Sequence, residues 1–204
     1  MAIELDVTHD PNDVWLPTEE GSYPAHIKSL SHRETSVKGR PTIIVTMQYQ
    51  IADEAANLSQ ALYEMDGYKY KLDEAGKKIH KMNEDNELVT SSCQHLVGKT
   101  FFDNGWFVFT DSQNGSSNRG YFDLLEKLEI SLEELTVNDK KVKKLVLIEA
   151  EDVGGKAVIA NIKEHEYVMK DTQEKRTIMK IKGLDKWKNG KDISPDEFES
   201  DVPF

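Results

Sequence analysis

The chain has 204 residues, with 26 Lys and Arg against 37 Asp and Glu, for a formal net charge of −11. That length corresponds to about one domain with appendages. The charge argues against a histone-like protein that binds nucleic acid by bulk positive charge, and 38% hydrophobic with 31% charged residues is typical of a globular chain.

The acidic excess lies at the two ends of the chain. Residues 1–20 contain six acidic residues, residues 192–204 contain five, and neither stretch contains Lys or Arg. The intervening positions hold 26 acidic and 26 basic residues, so the body is formally neutral. We therefore predict an acidic N-terminal arm at 1–20, a folded domain at 21–183, and a flexible linker with an acidic tail at 184–204.

Several classes of protein are disfavoured by what the sequence lacks. Cys93 is the only cysteine, which excludes an intrachain disulfide and a thiolate zinc site and favours a reducing compartment, the cytoplasm. The first residues do not resemble a signal peptide, and no apolar run approaches 18 residues, so we expect no membrane association. With no P-loop, GxSxG or HExxH motif, we predict no enzymatic activity, no cofactor and no metal.

Two strands near the start of the body are predicted to form a hairpin. In 41–51, Ile43, Val45, Met47, Tyr49 and Ile51 alternate with polar residues, which is typical of a half-buried strand. Residues 22–30 predict a strand as well, and Gly39 in the connection tolerates a positive φ.

Further strands follow along the chain. We predict a ribbon that runs from 68–72 through a turn at 73–77 into 79–82, and an aromatic-rich strand over 99–110. Residues 143–152, 156–169 and 175–182 predict an antiparallel meander with turns at 153–155 and 171–174.

Helical signals are confined to one part of the chain. Tyr121, Leu124, Leu125 and Leu128 form an amphipathic stripe, and Ser131 with Glu134 has the spacing of a capping box for a second short helix. This order favours a mainly β fold, a small OB-type Greek-key barrel with one helical insertion, extended hairpins and a disordered acidic C-terminal tail. A β-sandwich is the alternative.

The last residues carry the most specific motif. An acidic strip ends in Pro203 and Phe204, whose ring and carboxylate could enter an apolar pocket rimmed by Arg or Lys. This end resembles the acidic tails of bacterial and bacteriophage single-stranded-DNA-binding proteins, which end Asp-Ile-Pro-Phe or close to it. The resemblance implies recruitment of partner enzymes through Asp196, Glu197, Phe198, Glu199, Asp201, Val202, Pro203 and Phe204.

A second resemblance covers the body. Residues 21–28 and 38–45, followed by a Phe-rich strand and a Leu-rich helix, are similar to a family of bacteriophage OB-fold single-stranded-DNA-binding proteins. That resemblance implies non-sequence-specific coating of single-stranded DNA (ssDNA) in replication, recombination and repair, inside the bacterial host cell, as a monomer or homodimer. Replication and recombination enzymes would be the protein partners of the tail.

The body contains the residue types that a single strand requires, namely aromatic platforms for bases and cations for phosphates. Residues 170–191 contain eight basic and three acidic residues, the largest basic excess in the body. A solvated charged hairpin and aromatics buried in the core are the alternative interpretations. The residues that we select as DNA-binding are Lys28, Arg33, Lys38, Arg40, Tyr68, Lys69, Tyr70, Lys71, Phe102, Trp106, Lys180 and Lys182.

Two other hypotheses remain open on the sequence. An acidic protein that mimics DNA and inhibits a nuclease or repressor would not bind oligonucleotides. A virion or assembly β protein would use the acidic tail for solubility only. We also expect the tail to compete with DNA for the basic stretch at 170–191, so that its removal tightens ssDNA binding at low salt.

Overall fold

A computed structural model describes residues 16–67, 69–111 and 118–198 of the chain. The acidic arm up to residue 15 and Tyr68 lie outside the described residues. The tail positions Glu199, Asp201, Val202, Pro203 and Phe204 lie outside them too.

The described residues are mainly β. The strands are β1 (Gly21–Val37), β2 (Arg40–Ile51), β3 (Ser59–Ala61), β4 (Met65–Asp66), β5 (Lys69–Tyr70), β6 (Thr90–Ser92), β7 (Thr100–Phe102), β8 (Trp106–Phe109), β9 (Glu134–Val137), β10 (Lys140–Lys143), β11 (Ala157–Val168) and β12 (Lys175–Lys186). The α-helices are α1 (Arg119–Lys127) and α2 (Ala150–Val153), and short 3-10 helices span Asp53–Asn57, Cys93–Leu96 and Pro195–Glu197. Within the described residues, no helix has the length and apolar character needed to cross a membrane.

The predicted first hairpin is confirmed as the centre of the fold. β1 and β2 pair antiparallel from Ala25 to Val37, and Lys38 and Gly39 at the turn both have positive φ, 52° and 77°. Positive φ at both positions gives a type I′ turn, which matches the right-handed twist of the strands. β1 extends seven residues beyond the end of the predicted strand at Leu30.

The main sheet is antiparallel, with strand order β12-β11-β1-β2-β7, and β8 pairs with β2 beyond β7. Its two ends meet at an isolated parallel bridge between Asp103 and Ile181. Among the described strands, β7 and β12 share only this one bridge and no continuous ladder of hydrogen bonds, so the barrel is not closed.

The core lies between the inward face of this sheet and α1. Val45, Met47, Tyr49 and Ile51 are buried as their alternation predicts. The stripe on α1 is also buried, which confirms the helix. The hydroxyl of Tyr121 accepts a hydrogen bond from the backbone N–H of Ile148 at 2.9 Å and so ties α1 to the segment before α2.

An insertion of short hairpins separates β2 from β7. β3 pairs with β6 and β4 with β5, and isolated bridges join Tyr63 to His80 and Leu72 to Lys78. The predicted turn at 73–77 is confirmed, because the Asp73 side chain accepts hydrogen bonds from the N–H groups of Ala75 and Lys77.

Three predicted elements are wrong. The strand expected over 99–110 is split into β7 and β8, because Gly105 adopts a φ of 81° between them. The second helix expected at Ser131 is absent, and β9 and β10 form a hairpin there, with positive φ at Asn138 and Asp139 in its turn. Residues 143–152 are not a strand of the meander, whereas β11 and β12 pair as predicted.

The chain after residue 183 continues along the body. β12 runs to Lys186, so the expected boundary falls inside a strand. The ring of Trp187 lies 5.6 Å from that of His26, and the Ile193 N–H donates to the carbonyl of Gly155 at 3.0 Å. Residues 187–193 therefore pack against the start of β11 and the neighbouring part of β1.

Candidate nucleic-acid interface

The outward face of the sheet presents aromatic rings to solvent. Residues in register on adjacent strands lie on the same face of a sheet. Gln48 on β2 is in register with Ser29 on β1 and with Phe102 on β7, so these three side chains lie on the outward face. Ile44 on β2 is likewise in register with Arg33 on β1 and with Phe107 on β8, so Arg33 and Phe107 lie on that face too. This outward face of β1, β2, β7 and β8 is called the outer face below.

Phe102 and Phe107 are unusually exposed for phenylalanine. Their exposed fractions are 51% and 44%, and Arg33 on the same face is exposed as well. Apart from Ile44, which is buried, the neighbouring outward side chains on β1 and β2 are small or polar, Ser29, Ser31 and Thr46 among them. The arrangement therefore offers rings to a ligand on an otherwise polar surface.

The parallel bridge brings predicted cations to these rings. Asp103 and Ile181 are paired and both buried, at 4% and 1% exposure, so their neighbours Phe102 and Lys180 lie on the outward face. Lys182, at a bulge in β12, is exposed close by. Phe102, Lys180 and Lys182 thus share one surface, although 78 residues of sequence separate Phe102 from Lys180.

A cavity of about 550 Å³ lies along the free edge of β8. Three of the predicted residues line it, Lys38, Arg40 and Trp106, together with Phe107 and Phe109. Lys38 and its neighbour Val37, at the β1–β2 turn, form one side of this lining. The cavity therefore continues the aromatic surface past the edge of the sheet.

Arg40 contacts an acidic and an aromatic side chain. Its guanidinium forms a bidentate pair with Asp111, with Nη2–Oδ1 at 2.8 Å and Nε–Oδ2 at 3.2 Å. It also lies 4.4 Å from the centroid of the Phe109 ring. The hydrogen bonds from Arg40 lower the pKa of Asp111. Asp111 offsets the charge of Arg40, so Arg40 is suited to stacking on a base more than to neutralising a phosphate.

Trp106 is anchored by a buried carboxylate. Asp103 accepts hydrogen bonds from Trp106 Nε1 at 2.8 Å, Gly105 N–H at 2.8 Å and Tyr49 hydroxyl at 3.1 Å. Burial raises the pKa of Asp103, and these hydrogen bonds oppose that rise. Burial and the Asp103 charge raise the pKa of Tyr49 well above its ordinary value. The indole is half-buried on the inward side, so it presents only part of its surface to the cavity.

The predicted ribbon lies apart from the outer face. Tyr70 donates from its hydroxyl to Glu19 Oε1 at 2.7 Å, and the Lys78 ammonium lies 3.9 Å from its ring centroid. Lys78 also pairs with Glu19 at 3.1 Å and with Glu164 at 3.0 Å. Since Glu164 and its neighbour Lys163 point to opposite faces of β11, the ribbon packs on the side away from Phe102.

The ring of Tyr70 is therefore already engaged. Burial and its bond to Glu19 raise the pKa of Tyr70, and the two carboxylates outweigh burial and raise the pKa of Lys78. Lys69 is exposed, and Lys71 pairs with Glu64 at 3.1 Å. Base stacking at Tyr70 and phosphate contacts at Lys69 and Lys71 stay predictions.

Other predicted residues have varied surroundings. Lys28 is half-buried at the bulge of β1. In the tail, Asp196 and Glu197 are exposed and Phe198 is half-buried. Ser194 caps this last 3-10 helix by accepting from the Asp196 N–H at 3.3 Å.

Sequence reasoning did not select several residues of this surface. Phe107, Gln48, Lys163 and His165 are not among the predicted DNA-binding residues. The alternation of β8 could have indicated Phe107. An indole N–H needs a hydrogen-bond partner when it is buried, which favours Trp106 on the inward face and therefore Phe107 on the outward face. Lys163 carried no signal, since its position beside Lys180 depends on the pairing of β11 with β12.

Comparison with models of protein families, with curated proteins and with solved structures finds no match to this chain.

Proposed function

We propose that this protein binds single-stranded DNA without sequence preference and that the strand lies on the outer face of β2, β7 and β8. The observation that carries the proposal is the pair of exposed rings, Phe102 and Phe107, on strands flanked by Arg33 and Lys180. Exposed rings stack on bases of any type, and the cations attract phosphates.

We further propose that the fold is of the OB type. Taking β1, β2, β7 with β8, β11 and β12 as five strands, the order is five-four-one-two-three, with strands three and five meeting at the parallel bridge. OB folds are partly open Greek-key barrels that bind oligonucleotides on the face of strands two and three. That face corresponds here to the surface with Phe102 and Phe107.

Binding of this kind favours the unpaired state of DNA. A protein that binds single strands and not duplex lowers the free energy of melting by mass action. The stacked strand is held extended, which removes its own hairpins. The acidic tail would then raise the local concentration of partner enzymes, with the terminal residues as their contact. Replication, recombination and repair enzymes are the partners proposed.

The test is a titration of fluorescently labelled oligo(dT) and of duplex DNA with the full chain, followed by fluorescence anisotropy at two salt concentrations. We expect binding to oligo(dT) and weak binding to duplex. The logarithm of the association constant should fall with the logarithm of salt by about 0.7 per phosphate neutralised.

Two results would overturn the proposal. Absence of binding to both ligands would favour the DNA-mimic or assembly hypothesis. Equal affinity for duplex would exclude the stacking surface, because paired bases do not present their faces to Phe102 or Phe107.

A further inference from the structure

The outward face of β11 and β12 carries lysines that lie close together. Lys163 lies directly opposite Lys180 in the antiparallel register. Directly opposed residues have Cβ atoms about 5 Å apart, and like charges there destabilise the pair. Neither lysine has an ion pair with any other residue that the structure describes. An anion placed between them would relieve this repulsion.

A groove beside these lysines could accept such an anion. The cavity measures about 550 Å³ and is lined by Glu20, Ser22, Asn161, Lys163, Lys182 and Gly183, among others, so two lysines face one carboxylate there. Ser22 Oγ donates to Asn161 Oδ1 at 2.6 Å, which keeps this wall polar. Gly183 lies in this wall beside Lys182.

A histidine completes the cluster. Lys182 Nζ lies 2.8 Å from His165 Nδ1. Because an ammonium group can only donate, Nδ1 of His165 accepts and carries no proton in this state. Desolvation and the charges of Lys182 and Lys180 lower the pKa of His165 from its ordinary 6.5.

We propose that Lys163, Lys180, Lys182 and His165 form a phosphodiester-binding subsite for the DNA backbone, and that its occupation is accompanied by proton uptake at His165. This subsite rests on the proposed function and extends it. Across the sheet, Gln48 is followed by Phe102, then by Lys180 and then by Lys163, so the lysines continue the surface that carries the exposed rings. A bound phosphate neutralises the lysines, so the positive charge on His165 becomes favourable.

The charged and titratable groups around His165 favour proton uptake when an anion binds. On β11 the same face carries Lys163 and Tyr167, and on β12 it carries Arg176, Lys180 and Lys182. Glu20, whose Oε1 accepts from the Glu164 N–H at 2.9 Å, approaches from the segment before β1. The cluster is thus predominantly basic, and an anionic ligand changes its potential in one direction.

The experiment measures the affinity of the full chain for oligo(dT) by anisotropy against salt and against pH, between about pH 5.5 and about pH 8. We compare the wild type with Lys163→Gln/Lys180→Gln, with His165→Gln, and with Lys140→Gln/Lys143→Gln. The last variant removes the same charge from exposed lysines on β10.

We expect Lys163→Gln/Lys180→Gln to reduce the salt slope by about 0.7 for each phosphate that these lysines neutralise in the wild type, beyond any change in the β10 variant. Affinity of the wild type should rise as pH falls from the pKa of His165 in the complex to its pKa in the free protein, by up to about tenfold per pH unit, and His165→Gln should remove that component. In NMR spectra, oligo(dT) should raise the pKa of His165.

The outcomes separate this inference from the proposed function. If the wild type fails to bind oligo(dT), the proposed function fails. If it binds but both double-lysine variants have the same salt slope, the subsite is wrong. If His165→Gln keeps the full pH dependence, proton uptake at His165 is wrong.

Discussion

Asp103, just after β7, and Ile181, in β12, are paired in a parallel bridge between two otherwise antiparallel ends of the sheet. Both side chains are buried, and Asp103 also binds the indole of Trp106. One bridge therefore joins the sheet ends, fixes the β7–β8 connection and places Phe102 beside Lys180.

Removal of the Asp103 carboxylate should destabilise the fold. Asp103→Ala leaves the donors of Trp106, Gly105 and Tyr49 without their partner, which costs about 2–4 kcal/mol for a set of buried hydrogen bonds. Urea unfolding followed by tryptophan fluorescence measures the change. Asp111→Ala is the control, because its pair with Arg40 is exposed to solvent and contributes little to stability. Equal losses in the two variants would contradict the role given to Asp103.

Alkaline pH should destabilise the protein through its buried tyrosines. Burial raises the pKa of Tyr121 to about 12, so the native state keeps this proton while the unfolded state loses it near pH 10. The contribution of Tyr121 to the free energy of unfolding is therefore complete below about pH 10 and is lost as pH rises toward 12. Denaturant unfolding at about pH 9 and about pH 11 should show a steeper loss for the wild type than for Tyr121→Phe. Parallel losses would mean that Tyr121 titrates normally.

The aromatic surface predicts a selective loss of DNA affinity. Phe102→Ala and Phe107→Ala should each weaken oligo(dT) binding by about 5- to 150-fold, since one stacked base contributes about 1–3 kcal/mol. Leu88→Ala is a matched control, because Leu88 has the same 51% exposure as Phe102 but lies in the insertion. Far-UV circular dichroism checks that each variant folds. An affinity loss in Leu88→Ala equal to that in Phe102→Ala would exclude the assigned face.

Glu19 is predicted to lock the insertion onto the body. Its two oxygens bind Tyr70 and Lys78, and Lys78 in turn binds Glu164 on β11. Glu19→Ala should therefore accelerate hydrogen exchange at the paired amides of Glu64, Ile79 and Lys81, with no change in β1 and β2. Glu64→Ala, which removes only the exposed pair with Lys71, is the control. Unchanged exchange in Glu19→Ala would contradict the lock.

The tail should inhibit DNA binding and recruit partners. Truncation after Phe198 leaves the contacts of Asp192 and Ile193 with the body in place. We expect the truncated chain to bind oligo(dT) more tightly at low salt, because fewer acidic residues compete with the phosphates. Identical affinities of the truncated and full chains at low salt would refute the competition.

Deletion of Phe204 alone should abolish capture of partner enzymes and leave the affinity for DNA unchanged.

Local patterns predicted the central elements because their causes are local. Alternation in β2, the positive φ at Gly39 and the stripe on α1 needed no knowledge of distant residues. The capping box at Ser131 failed because the same stretch contains Asn138 and Asp139, which favour a type I′ hairpin. The placement of Phe102 beside Lys180 could not be predicted, since it arises from strand pairing over 78 residues of sequence.

The most direct test of the account is ultraviolet crosslinking of oligo(dT) to the full chain, with the crosslinked peptides identified by mass spectrometry. We predict crosslinks at Phe102, Phe107 and the adjoining Trp106, and much weaker crosslinking with duplex DNA. Crosslinks confined to the ribbon at Lys69–Tyr70, or equally strong with duplex, would contradict binding of a single strand on the outer face.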